Sequence, residues 1–149
     1  MREPSANLGV YELSLCAIGW DTTSLTLVRE GAVYGRMART GAGSVVCVHE
    51  WRGAIWCSRF EAGGWMLGGE VASYGFGPAA NPNVAVAPDG CLLCAYNERP
   101  CDGTHPFAIA IARSEDDGRT WSTSRHVYVA GIEWENGCWE PALLVTPSG

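Results

Sequence analysis

The chain has 149 residues, 47% of them hydrophobic and 17% charged, enough to bury one packed core and too apolar for a disordered tail. Its ten cations are all Arg, set against sixteen acids for a net charge of -6 and a pI near 4.9, which argues against a partner held along a nucleic-acid backbone. Nineteen Gly, eight Pro and seven Trp, with mean hydropathy near zero, lean toward an all-β protein and away from a membrane one.

Residues 1 to 30 hold no apolar run of about 18 residues, and Met1 to Leu8 offers no stretch of the kind a secretory leader needs. The expectation is a cytoplasmic location as the sequence stands, and secretion if a leader precedes Met1. Seven Cys, an odd number, read as small buried hydrophobes and not as a disulfide framework.

Short apolar runs then alternate with Gly, Pro and Asp. In order they are SVVCVHE (44 to 50), GAIWCSRF (53 to 60), NVAVAP (83 to 88), CLLCAYN (91 to 97), PFAIAIARS (106 to 114) and RHVYVA (125 to 130). These are strands at the spacing of an all-β fold. In the longest, Phe107, Ile109 and Ile111 alternate with Ala108, Ala110 and Ala112, so the strand is expected to be packed on both faces.

NPNVAVAPDG (81 to 90) superposes on EPALLVTPSG (140 to 149) without a gap, at an offset of 59, with Pro82 on Pro141, Pro88 on Pro147 and Gly90 on Gly149. At an offset of 47 upstream the same frame meets YGRMARTGAG (34 to 43), with Gly43 on Gly90 and then Cys47 on Cys94. Three copies of one strand are therefore expected to begin at Tyr34, Asn81 and Glu140.

A second marker, SEDDGRTW (114 to 121), reads SxDxGxTW, and SRFEAGGW (58 to 65) keeps its Ser, its Trp and their separation. The pattern suits a tight hairpin: Asp116 accepts from turn N–H groups close to Ser114, Gly118 takes a conformation costly to other residues, and Trp121 packs beneath. Its expected role is structural. Four strands in about 50 residues, apolar on both faces, describe β-propeller blades. Two are predicted, at about 34 to 72 and 77 to 130, with the first strand of a third from 138 and residues 1 to 30 outside the repeat.

SEDDGRTW resembles the Asp-box of sialidases and related propeller glycoside hydrolases, and ANPNVAVAPDGCLLCAYNERP followed by NGCWEPALLVTPSG looks like two successive inner regions of such an enzyme. The resemblance runs from about Tyr34 to Gly149. It implies a six-bladed ring, of which this chain would hold two blades and a strand. The rest of the ring is then expected from further chain or from self-association, and these residues alone are expected to be inactive.

Consecutive strands of a blade alternate direction, which sorts the polar residues onto two ends. One end carries the strand starts and second-to-third turns, with Arg36, Glu50, Arg52, Asn81, Arg99, Trp139 and Glu140; the other carries Asp116. First strands are innermost, so their starts converge on the ring axis. A carboxylate and a guanidinium there supply an acid, base or nucleophile and a bidentate partner for an acidic sugar. The resemblance places Arg36 at the first arginine of the sialidase carboxylate triad and Arg52 near the second. Where a catalytic Asp should follow, the sequence has Gly53, Ala54, Ile55 and Trp56. Glu140 in CWEP matches the WEP segment of exo-arabinanase-like members, where it is the expected catalytic carboxylate, with Glu50 as partner acid.

Structural alternatives stand beside these roles. Glu140 could cap a strand start, Arg36 could pair with Glu50, Arg52 could be a solvated turn residue, and Arg99 could be loop structure instead of a substrate contact. No metal or cofactor is expected: Cys91 and Cys94 of CLLC point to opposite strand faces, and CDGTH (101 to 105) reads as a flexible loop. The expected function is an exo-acting glycoside hydrolase removing a terminal sugar, sialic acid or a relative, from a glycan. The alternative is a noncatalytic propeller that binds glycan or protein.

Overall fold

The computed structural model describes residues 21 to 146. Expectations that fall on Met1 to Leu8, on Cys16 and on Pro147 to Gly149 lie outside the described residues. The fold is all-β, as composition and repeats predict. Strands β1 (Val33–Arg39), β2 (Val45–Trp51), β3 (Ala54–Glu61) and β4 (Gly64–Ala72) form one sheet, and β5 (Ala79–Val86), β6 (Leu92–Glu98), β7 (Ala108–Ser114) and β8 (Arg125–Val129) a second. Each sheet is antiparallel in sequence order.

Local chemistry sets the hairpins. Arg52 with Gly53 and Ala62 with Gly63 are two-residue loops in which both residues have positive φ, the type I′ geometry whose twist matches that of the flanking strands. The loop from β7 to β8 is longer. The SRFEAGGW segment, which keeps only the Ser and Trp of SEDDGRTW and their separation, forms the corresponding third-to-fourth turn as a tight hairpin, closed by the cross-strand pair Phe60 and Trp65 with ring centroids 5.4 Å apart.

The sheets pack face to face over one core. Val46, Val48, Ile55, Cys57 and Val71 come from the first, and Val84, Leu92, Cys94, Tyr96, Ala110 and Ala112 from the second, with Trp121 packed against them. Only one face of β7 is fully covered, contrary to the expectation of two. Ala108, Ala110 and Ala112 are buried while Ile109 and Ile111 are half-buried, and Ile111 lines an open hollow of about 680 Å³. Small side chains lie where the sheets approach closely, and the bulky ones look away from the partner sheet.

At β4 the backbone meets the turn after β7. A Cβ added at Gly69 would lie 2.5 Å from the carbonyl oxygen of Arg119, and one at Gly68 would lie 3.2 Å from that of Gly118. Backbone packs against backbone there, so Gly69→Ala is expected to destabilise the protein by about 1–3 kcal/mol, read as a lower denaturant midpoint with unchanged slope.

The three strand starts share a backbone irregularity. Tyr34, Asn81 and Glu140 have φ of 53°, 49° and 44°, left-handed values at all three repeat-equivalent positions. In the two sheets the ladder slips at this point, between Val33 and Arg36 and between Ala80 and Asn83, as at a β-bulge. A 3₁₀ turn, Trp134–Asn136, leads into the third start. Residues 137 to 146 join no ladder among the described residues, but the Leu143 N–H donates to Asn83 Oδ1 at 3.4 Å, which lays this segment along β5.

Candidate functional site

Two side-chain latches at repeat-equivalent positions draw the strand starts together. Glu50, opposite Val33 in the β1–β2 ladder, accepts from the backbone N–H of Asn81 through Oε1 at 2.5 Å. Asn97, its counterpart 47 residues on, is opposite Ala80 and fully buried. Its Nδ2 donates to the Cys138 carbonyl at 2.6 Å and more weakly to that of Ala108 at 3.4 Å. Each latch runs from the second strand of one blade to the start of the next repeat, so Tyr34, Asn81 and Glu140 form a row across one end of the sheets. Glu50, expected as a partner acid, is thus engaged in structure. Asn97 was missed because nothing in its local sequence separates it from a turn-forming Asn.

Arg99 and Trp139, both expected at the substrate, engage each other. Arg99 Nε donates to Asn97 Oδ1 at 2.7 Å, and its guanidinium lies 5.1 Å from the Trp139 ring. Trp139 also packs on Phe107 at 5.1 Å and Trp134 at 4.1 Å. This aromatic bracket holds the chain just before Glu140, whose side chain is exposed and has no hydrogen-bond or ion-pair partner among the described residues. Asn81 is only 5% exposed, yet its Oδ1 also has no partner among them.

The arginines are arranged differently from expectation. Arg36 does not pair with Glu50; its Nη1 donates to the adjacent Gly35 carbonyl at 3.1 Å. Arg52 is more than a solvated turn residue: its guanidinium lies 4.4 Å from the Trp51 ring, with that of Arg29 at 4.0 Å. With Glu30 they line an open hollow of about 370 Å³. Arg29 was invisible in the sequence because residues 1 to 30 carry neither periodicity nor motif.

The 101 to 105 loop, read as flexible, is tied down. Asp102 accepts from the N–H groups of His105 and Thr104 at 3.0 Å each, and its Oδ2 lies 2.6 Å from His105 Nδ1. These bonds hold its carboxyl well below the usual range. The His105 ring stacks on Phe76 at 3.4 Å, and Cys101 N–H donates to the Phe76 carbonyl at 2.8 Å.

Asp116 lies at the other end, past the last residue of β7. It accepts from Ser114 Oγ (2.9 Å), the N–H groups of Arg119 (3.0 Å) and Thr120 (2.8 Å), and Thr120 Oγ1 (2.6 Å). Three of these bonds fall on Oδ1 and one on Oδ2, all from its own turn. Arg119 then reaches Glu61 of the first sheet at 3.4 Å.

No family model matches the chain, and no curated protein matches it. Several solved structures share its fold. An α-L-arabinanase from Penicillium chrysogenum, complexed with arabinobiose, is 24% identical over 83% of this chain and 40% of its own, with a TM-score of 0.64. The GH93 α-L-arabinofuranosidase of Fusarium graminearum, also solved with arabinobiose, is 21% identical over 67% of this chain and 32% of its own, with a TM-score of 0.57. A protein of unknown function from Dyadobacter fermentans is 17% identical over 63% of this chain and 28% of its own, with a TM-score of 0.52. The chain thus spans well under half the length of each. At these identities the likeness is one of fold: the two sheets are β-propeller blades.

Proposed function

We propose that the protein is an exo-acting glycoside hydrolase that removes a terminal α-L-arabinofuranose, with Glu140 as a catalytic carboxylate. The observation that supports this most is the contrast among its acids. Glu50 is bound to Asn81 and Asp116 to its own turn, whereas Glu140 stands exposed at a strand start without a partner among the described residues. Glycoside hydrolysis needs such a group, free to give or take a proton or to attack the anomeric carbon.

Arabinofuranose is favoured over sialic acid on two grounds: the guanidiniums of Arg36 and Arg52 are engaged apart, Arg36 with the Gly35 carbonyl and Arg52 over the Trp51 ring, and the two enzymes of similar fold were solved with arabinobiose.

A second reading is kept by a specific observation. Hydrolysis needs two carboxylates, and with Glu50 engaged the strand starts among the described residues present one. The second must come from outside them, and without it the site binds glycan and does not cleave it. The test is turnover of an aryl α-L-arabinofuranoside by the ring-complete protein and its Glu140→Gln variant. Turnover lost in the variant supports the hydrolase, and sugar binding without turnover in the parent supports the binding module.

A further inference from the structure

We propose that Tyr34, hitherto without a role, is a ligand contact, and that Tyr34, Asn81 and Glu140 together form one binding row for a neutral sugar. The proposal deepens the reading above and rests on its placing of a sugar at Glu140. The first support is the backbone. A left-handed residue other than Gly carries a steric cost of roughly 1–2 kcal/mol, tolerated by Asn more readily than by Tyr or Glu. This chain places Gly at positive φ at 31, 43, 53, 63, 90, 103 and 118, and among the described residues its other positive-φ side chains are at hairpin turns, Arg52, Ala62 and Asp117, or at the three strand starts. What is retained there is the side chain, and strained positions of this kind cluster at ligand sites.

The second support is repetition. The Glu50 and Asn97 latches sit 47 residues apart and tie each blade to the next start, so the step from Tyr34 to Asn81 is built like the step from Asn81 to Glu140. The third is an unmet hydrogen bond. Asn81, 5% exposed, has a fully covered Oδ1 with no protein partner among the described residues, and a buried acceptor in that state calls for a donor from a buried water or, once the carboxamide turns outward, from a ligand.

The chemistry of the row selects the ligand. It offers a phenol hydroxyl on a residue that is 47% exposed, a carboxamide oxygen and a carboxylate. These take hydroxyl protons and return one, which fits a polyhydroxylated, uncharged sugar. A sugar carboxylate would face the Glu140 carboxylate across a row with no cationic member, the nearby guanidiniums being held elsewhere, Arg36 on the Gly35 carbonyl and Arg99 on Asn97 Oδ1 and the Trp139 ring.

The experiment is a titration of the 149-residue chain with arabinobiose and, separately, with N-acetylneuraminic acid, followed by amide chemical shifts and calorimetry. Arabinobiose is expected to shift Tyr34, Asn81 and Glu140 together, and to bind more tightly than the acidic sugar. Tyr34→Phe, which removes one exposed hydroxyl, should weaken arabinobiose about 3- to 10-fold. Asn81→Gly, which suits the left-handed backbone and deletes the carboxamide, should weaken it about 10-fold. Neither variant should lower the melting temperature appreciably. Absence of binding, shifts elsewhere, unchanged affinity in both variants, or tighter binding of the acidic sugar each overturns the proposal. Shifts at the three residues with no turnover by the ring-complete protein uphold this row and sink the hydrolase reading instead.

Discussion

Once the ring around these blades is closed, replacing Glu140 by Gln is expected to lower turnover of an aryl α-L-arabinofuranoside by about 10²- to 10⁴-fold while leaving the melting temperature in place. The amide matches the carboxylate in shape, so the left-handed backbone at φ 44° and the Trp139 bracket are undisturbed. What is lost is the charge and the capacity to move a proton. No folded-state partner is orphaned, because Glu140 makes no hydrogen bond or ion pair among the described residues. The loss should appear mainly in kcat, since an interaction made only in the transition state acts there. Steady-state kinetics beside thermal denaturation checks both halves.

Asp116→Ala should do the opposite. The carboxylate organises the turn after β7 through bonds from Ser114, Arg119 and Thr120, and Arg119 carries the turn across to Glu61. Removing it leaves two turn N–H groups without their acceptor, at an expected cost of about 2 kcal/mol, with little change in sugar affinity. The effect should depend on pH. Burial opposes the charged form, but the bonds from Thr120, Ser114 and Arg119 outweigh it and hold the Asp116 pKa at about 2. The folded value lies below the unfolded one near 3.9. The stabilisation is therefore complete above that value and disappears as pH falls from about 4 through 2. Chemical denaturation of parent and variant between pH 2 and 7 should show two stabilities that converge on the acid side.

The repeat was legible because its markers are residues with backbone duties. Pro82 and Pro141, Gly43 and Gly90, and the Asp116 turn fix conformation locally, and local constraints survive in sequence. The same alignment located Tyr34, Asn81 and Glu140, although their shared left-handed φ could not be read from three different side chains. The contacts that assemble the site were hidden for the converse reason. Glu50 with Asn81, Asn97 with Cys138 and Arg29 with Trp51 join residues far apart in the chain, brought into reach by the docking of the two sheets, by the return of the chain after β8 and by the segment before β1, respectively. The β7 faces show the same limit: alternation identified the strand, but which apolar face meets the partner sheet depends on intersheet distance, and the Ala face won because it permits close approach.

Diffraction from crystals soaked in arabinobiose tests most directly whether a sugar binds across the strand starts at Glu140. Sugar density is expected within hydrogen-bond reach of Asn81 Oδ1 and the Glu140 carboxylate, with the Tyr34 hydroxyl on the same molecule. Density confined to the hollow between Arg29, Trp51 and Arg52, or no density at the strand starts at saturating sugar, would contradict it.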